Sequence, residues 1–119
     1  MSPASHGAAA RGLASNRTLG EATHDAIEEA GRKKADALRA KKKAERYFDI
    51  AFIAVKDAKN ADERRAKARL DPNFTKADDD HTEAECAAIV AKAEADAMEV
   101  RFDEWRTNRA TERAEMNLR

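Results

Sequence analysis

Small residues recur at fixed intervals through the first half of the chain. One row has a strict seven-residue period and consists of Ala30, Ala37, Ala44, Ala51 and Ala58. A second row follows three residues later, at Ala40, Tyr47, Ala54 and Ala61, with Leu38, Phe48 and Val55 on the flank. A seven-residue apolar period is typical of helices that pack as a coiled coil. The pattern therefore predicts a long helix with an alanine-lined seam, which lets two helix axes come close.

The second half of the chain carries two apolar stripes. The first steps alternately by three and four residues through Ala77, His81, Ala84, Ala88, Ala91, Ala95, Met98, Phe102 and Trp105, and then reaches Arg109. The second, on a neighbouring face, holds Cys86, Val90, Ala93, Ala97 and Val100. One helix with two apolar stripes needs two sets of partners, and a single hairpin supplies only one. We therefore expect self-association or docking on another protein.

Capping residues predict where the helices begin. Thr18 and Glu21 have capping-box spacing, and Asn60 is a candidate cap for residues 61–70, as a separate short helix or a bent continuation. Asp71 before Pro72 predicts a break, because proline suits the first helical position and disfavours helical geometry in the residue before it. The predicted helices run near 19–59 and 72–117. Residues 1–18 are predicted to be a disordered tail, with no apolar run of signal-peptide length.

These patterns predict an all-α fold, in which residues 19–119 form one domain. Its architecture is a long antiparallel helical hairpin of coiled-coil type, with alanine-rich seams and a short helical element at the turn. Charged residues make up 39% of the 119 residues and aromatics 5%, a balance that favours long solvated helices over a sheet sandwich. Alanine buries little area, so we expect the hairpin to form oligomers.

Charge is balanced overall but unevenly distributed. Lys and Arg together number 23, as do Asp and Glu. Residues 31–46 carry eight basic and two acidic side chains, whereas residues 71–104 carry eleven acidic and three basic ones. The two blocks either pair with each other, within or between chains, or the basic block faces phosphates.

The candidate nucleic-acid-binding residues are basic positions in two groups. They are Arg32, Lys33, Arg39, Lys42, Lys43 and Arg46 on the first helix, and Arg64, Arg65, Lys67 and Arg69 at the hairpin tip. The alternative for the first group is the outer face of a coiled coil, paired with acidic residues 94–104. The candidate oligomer or partner interface is apolar, and comprises Ala44, Tyr47, Phe48, Ala51, Val55, Val90, Met98, Phe102 and Trp105.

Trp105 is the only tryptophan and lies among arginines in RFDEWRTNRATER, residues 101–113. It continues the apolar stripe, so its ring is predicted to pack against another helix. Arginines at helical spacing around it also suit a platform for stacking nucleobases, or an anchor for a partner protein.

No motif for catalysis, metal binding or cofactor binding is present, which predicts a protein that is not an enzyme and has neither metal nor cofactor. The acidic segment around His81 lacks the ligand spacing of a calcium or zinc site. The single Cys86 permits no internal disulfide, and the longest apolar run, residues 50–55, is too short to cross a bilayer. A cytoplasmic location without membrane contact is expected.

Two segments resemble those of a family of small helical proteins encoded by tailed bacteriophages. The basic segment ADERRAKARLD, residues 61–71, precedes a helix that closes in EWRTNRATERAEM, residues 104–116. The resemblance implies a coiled-coil protein encoded near genes for recombination and single-strand DNA handling, in the cytoplasm of the host cell. Residues before about Ala44 depart from the part that resembles the family.

The leading hypothesis is a non-enzymatic accessory protein of phage DNA recombination or replication. As a recombination mediator it would form homo-oligomers. It would bind single-stranded DNA, or a recombinase, annealing protein or single-strand-binding protein, or both. One alternative is a coiled-coil adaptor, scaffold or assembly chaperone without DNA contact. A second is a phage inhibitor of a host defence enzyme.

Overall fold

The computed structural model describes residues 15–118, which form three helices. They are α1 (Ser15–Ala54), α2 (Ala61–Ala68) and α3 (Pro72–Leu118). The predicted all-α fold is confirmed, since α1 and α3 pack against each other as a helical hairpin and the described residues contain no strand. Residues 1–14 of the predicted tail lie outside the described residues. Helix α1 already begins at Ser15, so the Thr18–Glu21 pair lies inside its first turns and does not start it.

The described residues divide into two compact units. In each unit, a stretch of α1 packs against a stretch of α3. One unit contains residues 15–30 and 91–118, and the other contains Gly31–Val90.

In the first unit, the backbones of the two helices come close. The Thr23 side chain is buried, and its hydroxyl donates to the Leu19 carbonyl at 2.7 Å and to the Met98 carbonyl of α3 at 3.5 Å. A Cβ atom on Gly20 would lie 3.5 Å from the Phe102 ring. A hydroxyl within reach of the opposite backbone requires small neighbours, and Ala95 at 4% exposure is one of them. The alanine-lined seam therefore lets the two helix axes come close, as the sequence predicts.

In the second unit, aromatic rings join the alanines. Ala44 and Ala51 of α1 are buried, as is Ala77 of α3. The Phe48 ring contacts the Phe74 ring edge-on, with 5.3 Å between centroids. Such edge-to-face pairs stabilise beyond the area that they bury. This contact fixes the register of α1 on α3 near the turn.

The predicted stripes match the observed burial closely on α3. Every member of the first stripe from Ala77 to Trp105 is buried or half-buried, and Arg109 is exposed. Every member of the second stripe, from Cys86 to Val100, is exposed. On α1, Ala40 and Tyr47 of the second row are half-buried, but Ala54 and Ala61 are exposed because the helix ends between them.

The first helix ends at Ala54, five residues before the predicted end at 59. Asn60 is extended and its side chain accepts the Glu63 N–H at 2.8 Å, so α2 is a separate capped helix and not a continuation. The Arg64 side chain donates to the Phe52 carbonyl at 3.5 Å. A C-terminal helix carbonyl lacks an intrahelical donor, and this contact from α2 supplies one. The Asn60 cap and the arginine together favour a turn over a longer helix.

The predicted break at Asp71–Pro72 is confirmed. Helix α3 begins at Pro72, and the Asp71 carboxylate accepts the Phe74 N–H at 3.0 Å. An aspartate in this position satisfies a free backbone N–H, and its negative charge suits the helix N-terminus.

The packed interior is made of small side chains. The buried apolar residues are Ala44, Ala51, Ala68, Ala77, Ala91 and Ala95, and no large side chain of the described residues is fully buried. Many of the larger apolar side chains are half-buried, and ten are exposed, at Ile27, Leu38, Ile50, Ile53, Leu70, Ile89, Val90, Val100, Met116 and Leu118. Because burial of apolar area is the main stabilising term, the hairpin gains little from its own interior.

Gly31→Ala is expected to raise the free energy of unfolding by about 1 kcal/mol, because alanine is the better helix former and φ at this position is not positive. Apart from the backbone of its own helical turns and its two chain neighbours, nothing lies within 4 Å of a Cβ placed there, so the gain comes from helix propensity alone. Thermal unfolding followed by circular dichroism measures the change. A midpoint unchanged or lower than that of the wild type would contradict the helical placement of Gly31.

Candidate nucleic-acid and protein interfaces

One side of α1 in the second unit presents cations to solvent. Helical spacing of 100° per residue places the members of this side away from the packed Ala44 and Ala51. We call it the basic face, and it consists of Arg32, Arg39, Lys42, Lys43 and Arg46, all exposed. Lys33 is not part of it, since this residue follows Ala30 by three positions and is half-buried on the packed side.

Most charge on the basic face is not neutralised by carboxylates of the described residues. Arg39 pairs with Asp36 of the same helix at 2.5 Å. The Lys43 ammonium lies 5.9 Å from the centre of the Tyr47 ring. Among residues 15–118, Lys42, Lys43 and Arg46 form no ion pair. Three cations within five positions therefore remain available to an anionic partner.

Unlike Lys42, Lys43 and Arg46, most of the basic residues at the hairpin tip contact carboxylates, carbonyls or rings of the same chain. Arg64 stacks over the Phe52 ring at 5.5 Å, in addition to its contact with the Phe52 carbonyl. Arg65 pairs with Asp62, and Lys67 pairs with Glu63 at 3.3 Å and also donates to the Asp57 carbonyl. Arg69 is exposed. Arg64 and Lys67 thus hold α2 against the turn and the end of α1, whereas Arg65 pairs only within α2.

Glu63 joins these contacts at the turn. Its carboxylate accepts the Lys59 N–H at 3.1 Å and lies beside the Lys67 ammonium. The backbone hydrogen bond first, and then the lysine, lower the pKa of Glu63 from its ordinary value. The carboxylate therefore stays ionised when the pH falls slightly below that value.

The residues predicted to form an oligomer interface lie mainly inside the hairpin. Ala44 and Ala51 are buried, while Tyr47, Phe48, Val55, Met98, Phe102 and Trp105 are half-buried. Val90 alone among them is mostly open, at 56% exposure. The exposed apolar side chains thus lie on the outer sides of the helices and not at the alanine seam.

Trp105 lies at the end of the packed stripe, with arginines on its solvent side. Its ring stacks on that of Phe102, with 6.2 Å between centroids and 11° between planes. The Arg106 guanidinium lies 5.7 Å from the centre of the Phe102 ring, and Arg109 lies 6.0 Å from that of Trp105. Arg109 also pairs with Glu112 at 3.3 Å. These contacts shape an arginine-covered aromatic surface in the first unit.

Two shallow grooves follow the hairpin. One, of about 300 Å³, lies in the first unit between Ile27 and Phe102. The other, of about 290 Å³, lies in the second unit, with Phe48, Phe74 and His81 in its lining. His81 pairs with Glu85 at 3.3 Å. Neither lining holds a cysteine or serine beside a histidine, the arrangement of nucleophilic catalysis.

The described part of the chain contains no helix long and apolar enough to span a membrane. Within residues 15–118, no three His, Cys, Asp or Glu side chains converge as a set that would hold a metal ion. The comparison with family models gives no match, and the comparisons with curated proteins and with solved structures give none either. The resemblance to phage proteins therefore stays a prediction.

Proposed function

We propose that the chain is a non-enzymatic accessory protein that binds single-stranded DNA through the basic face of α1. The observation that carries the proposal is the set of three exposed cations, Lys42, Lys43 and Arg46, without an ion pair in the described residues. Lysine and arginine bind phosphates without reading sequence, and the release of counterions from the nucleic acid drives such binding.

The context of DNA recombination rests on the resemblance of residues 61–71 and 104–116 alone. In that context the protein acts as a mediator. It holds a strand on the basic face while a recombinase, an annealing protein or a single-strand-binding protein engages another surface. Phe102 and Trp105 suit this second role, because aromatic side chains framed by arginines are frequent anchors of protein interfaces.

A second candidate function is that of a protein adaptor without DNA contact. The supporting observation is the exposure of large apolar side chains on α3, with Ile89 at 64% and Val100 at 57%. A helix face of this kind packs on an apolar groove or a helix of a partner. In this function the basic face contacts an acidic protein surface.

The two functions are distinguished by replacing Lys42, Lys43 and Arg46 together with glutamine. The DNA-binding function predicts lower affinity for all oligonucleotide sequences alike. It also predicts a flatter salt dependence, with a log–log slope smaller by about 0.7 for each phosphate that the variant no longer neutralises. The fold is expected to survive, because exposed charges contribute little to stability. Fluorescence anisotropy of a labelled oligonucleotide, titrated with protein at several salt concentrations, gives both the affinity and the slope of its salt dependence.

A matched control removes two other cations, Lys76 and Lys92, by substitution with glutamine. Each of these is paired with an aspartate four positions further along α3. The control changes the net charge as much as Lys42→Gln with Lys43→Gln but leaves the basic face intact, so its salt slope is expected to be that of the wild type. A wild-type protein that binds no oligonucleotide at low salt would rule out direct DNA contact and leave the adaptor function.

A further inference from the structure

Four outward positions of α1 and four of α3 carry complementary side chains in the same order. The α1 row is Lys42, Arg46, Ile50 and Ile53, and the α3 row is Asp79, Glu83, Cys86 and Val90. All eight residues are exposed and belong to the second unit. At 100° per residue, each row lies on the side of its helix opposite the buried alanines Ala44 and Ala77.

The charges of both rows are uncompensated within the described chain. Asp79 and Glu83 form no ion pair among residues 15–118, and neither do Lys42 and Arg46. By contrast, Asp80 pairs with Lys76 and Glu85 pairs with His81 on the same helix. All four charged members of the outward rows are therefore unpaired among residues 15–118.

The apolar members of the rows are equally open. Ile50 is 57% exposed, Ile53 is 76% exposed and Val90 is 56% exposed. Cys86 is also exposed. A partner that satisfies the charges thus also covers apolar area, which non-specific pairing of charges would not do.

We propose that the α1 row of one copy docks on the α3 row of a second copy of this chain. Read from N-terminus to C-terminus, both rows run charge, charge, apolar, apolar. Three of the four positions match when the two helices lie parallel, with Lys42 opposite Asp79, Arg46 opposite Glu83, and Ile53 opposite Val90. Ile50 then falls opposite Ala87, one residue beyond Cys86. Within one chain α1 and α3 are antiparallel and their rows face outward, so one copy cannot satisfy its own rows.

This pairing is heterologous, because the two rows are different surfaces of the same molecule. Every copy offers one row of each kind, so assembly proceeds from copy to copy. The average mass in solution is therefore expected to rise with protein concentration and to fall with salt, since exposed charges are screened. Analytical ultracentrifugation at low and high salt measures both trends.

A charge-swap experiment tests the surface itself. Lys42→Glu with Arg46→Glu, and separately Asp79→Lys with Glu83→Lys, each place like charges opposite each other. Each double variant alone is expected to associate at least about tenfold more weakly than the wild type, because juxtaposed like charges destabilise an interface. An equimolar mixture of the two variants restores complementary pairs, and association is expected to return.

The quadruple variant carries both swaps and keeps the net charge of zero. It is expected to associate like the wild type, and circular dichroism of each variant shows whether the helices are intact. If a variant does not fold, Lys42→Gln with Arg46→Gln still removes the attraction without adding repulsion. A wild-type chain that stays monomeric at every concentration would overturn the proposal, as would double variants that associate as strongly as the wild type.

The α1 row shares Lys42 and Arg46 with the basic face, so a second copy and single-stranded DNA compete for these side chains. This competition, unlike the pairing, rests on the proposed function, and it predicts that oligonucleotide lowers the average mass. The two failures are distinguishable. A monomeric protein that binds DNA overturns the pairing alone, and a self-associating protein that ignores DNA overturns the DNA-binding function alone.

Discussion

Ala95→Gln is expected to lower the free energy of unfolding by about 2–5 kcal/mol. Ala95 is 4% exposed, and Thr23 approaches the backbone of α3 one turn away, at Met98. A longer side chain there forces the helices apart, and its amide is left without water or a partner. Alanine and glutamine differ little in helix propensity, so the decrease reflects packing between the helices. Urea unfolding followed by circular dichroism gives the value.

Ala97→Gln is the matched control, because this exposed alanine lies two positions further along the same helix. The same substitution there is expected to change the free energy of unfolding by less than about 0.5 kcal/mol, as surface substitutions do. If the two variants unfold alike, the packed side of α3 is not the one that the structure shows.

Because little apolar area is buried inside the hairpin, binding of a partner is expected to raise its stability noticeably. The buried apolar residues are alanines, so the free energy of unfolding of the isolated chain is expected to be small. A partner that covers Ile53 or Val90 therefore adds a substantial share of the total stability. The unfolding midpoint of the wild-type protein is therefore expected to rise with its concentration if copies associate.

The packed side of α3 was predictable from sequence because each member follows the last by three or four positions without interruption. Helical geometry then places Ala77, Ala91 and Ala95 on the same side of the helix. The end of α1 was not predictable in the same way. Residues 55–59 continue the periodic pattern through Ala58, and the helix stops at Ala54 because α2 folds back onto the turn. That contact joins positions twelve residues apart, which local spacing does not encode.

The candidate sites were also only partly predictable from the sequence. The outward position of Lys42, Lys43 and Arg46 follows from the alanine period, since residues between seam positions face solvent. Spacing did not show that Arg64 would lie on the Phe52 ring, or that Lys67 would reach the Asp57 carbonyl. These residues appear as a basic patch in the sequence, but their contacts are local to the turn. Whether a cation is free depends on its neighbours in space.

Phe48 makes an aromatic contact between α1 and α3 in the second unit. Its ring lies edge-on to Phe74 at 5.3 Å and 6.2 Å from the centroid of Phe52. The neighbouring packed positions are alanines, which leave little apolar area elsewhere to hold the helices together.

Phe48→Ala is therefore expected to lower the free energy of unfolding by about 2–4 kcal/mol, somewhat less than for a fully buried phenylalanine because Phe48 is half-buried. Leu38→Ala is the control, since Leu38 is 57% exposed on the same helix and its truncation is expected to change stability by less than about 1 kcal/mol. Phe48→Leu retains apolar volume but removes the edge-on ring contact, so its effect is expected to lie between the two. Urea unfolding compares all three variants at a protein concentration low enough to exclude association. Equal decreases for Phe48→Ala and Leu38→Ala would show that the aromatic contact does not hold α1 on α3.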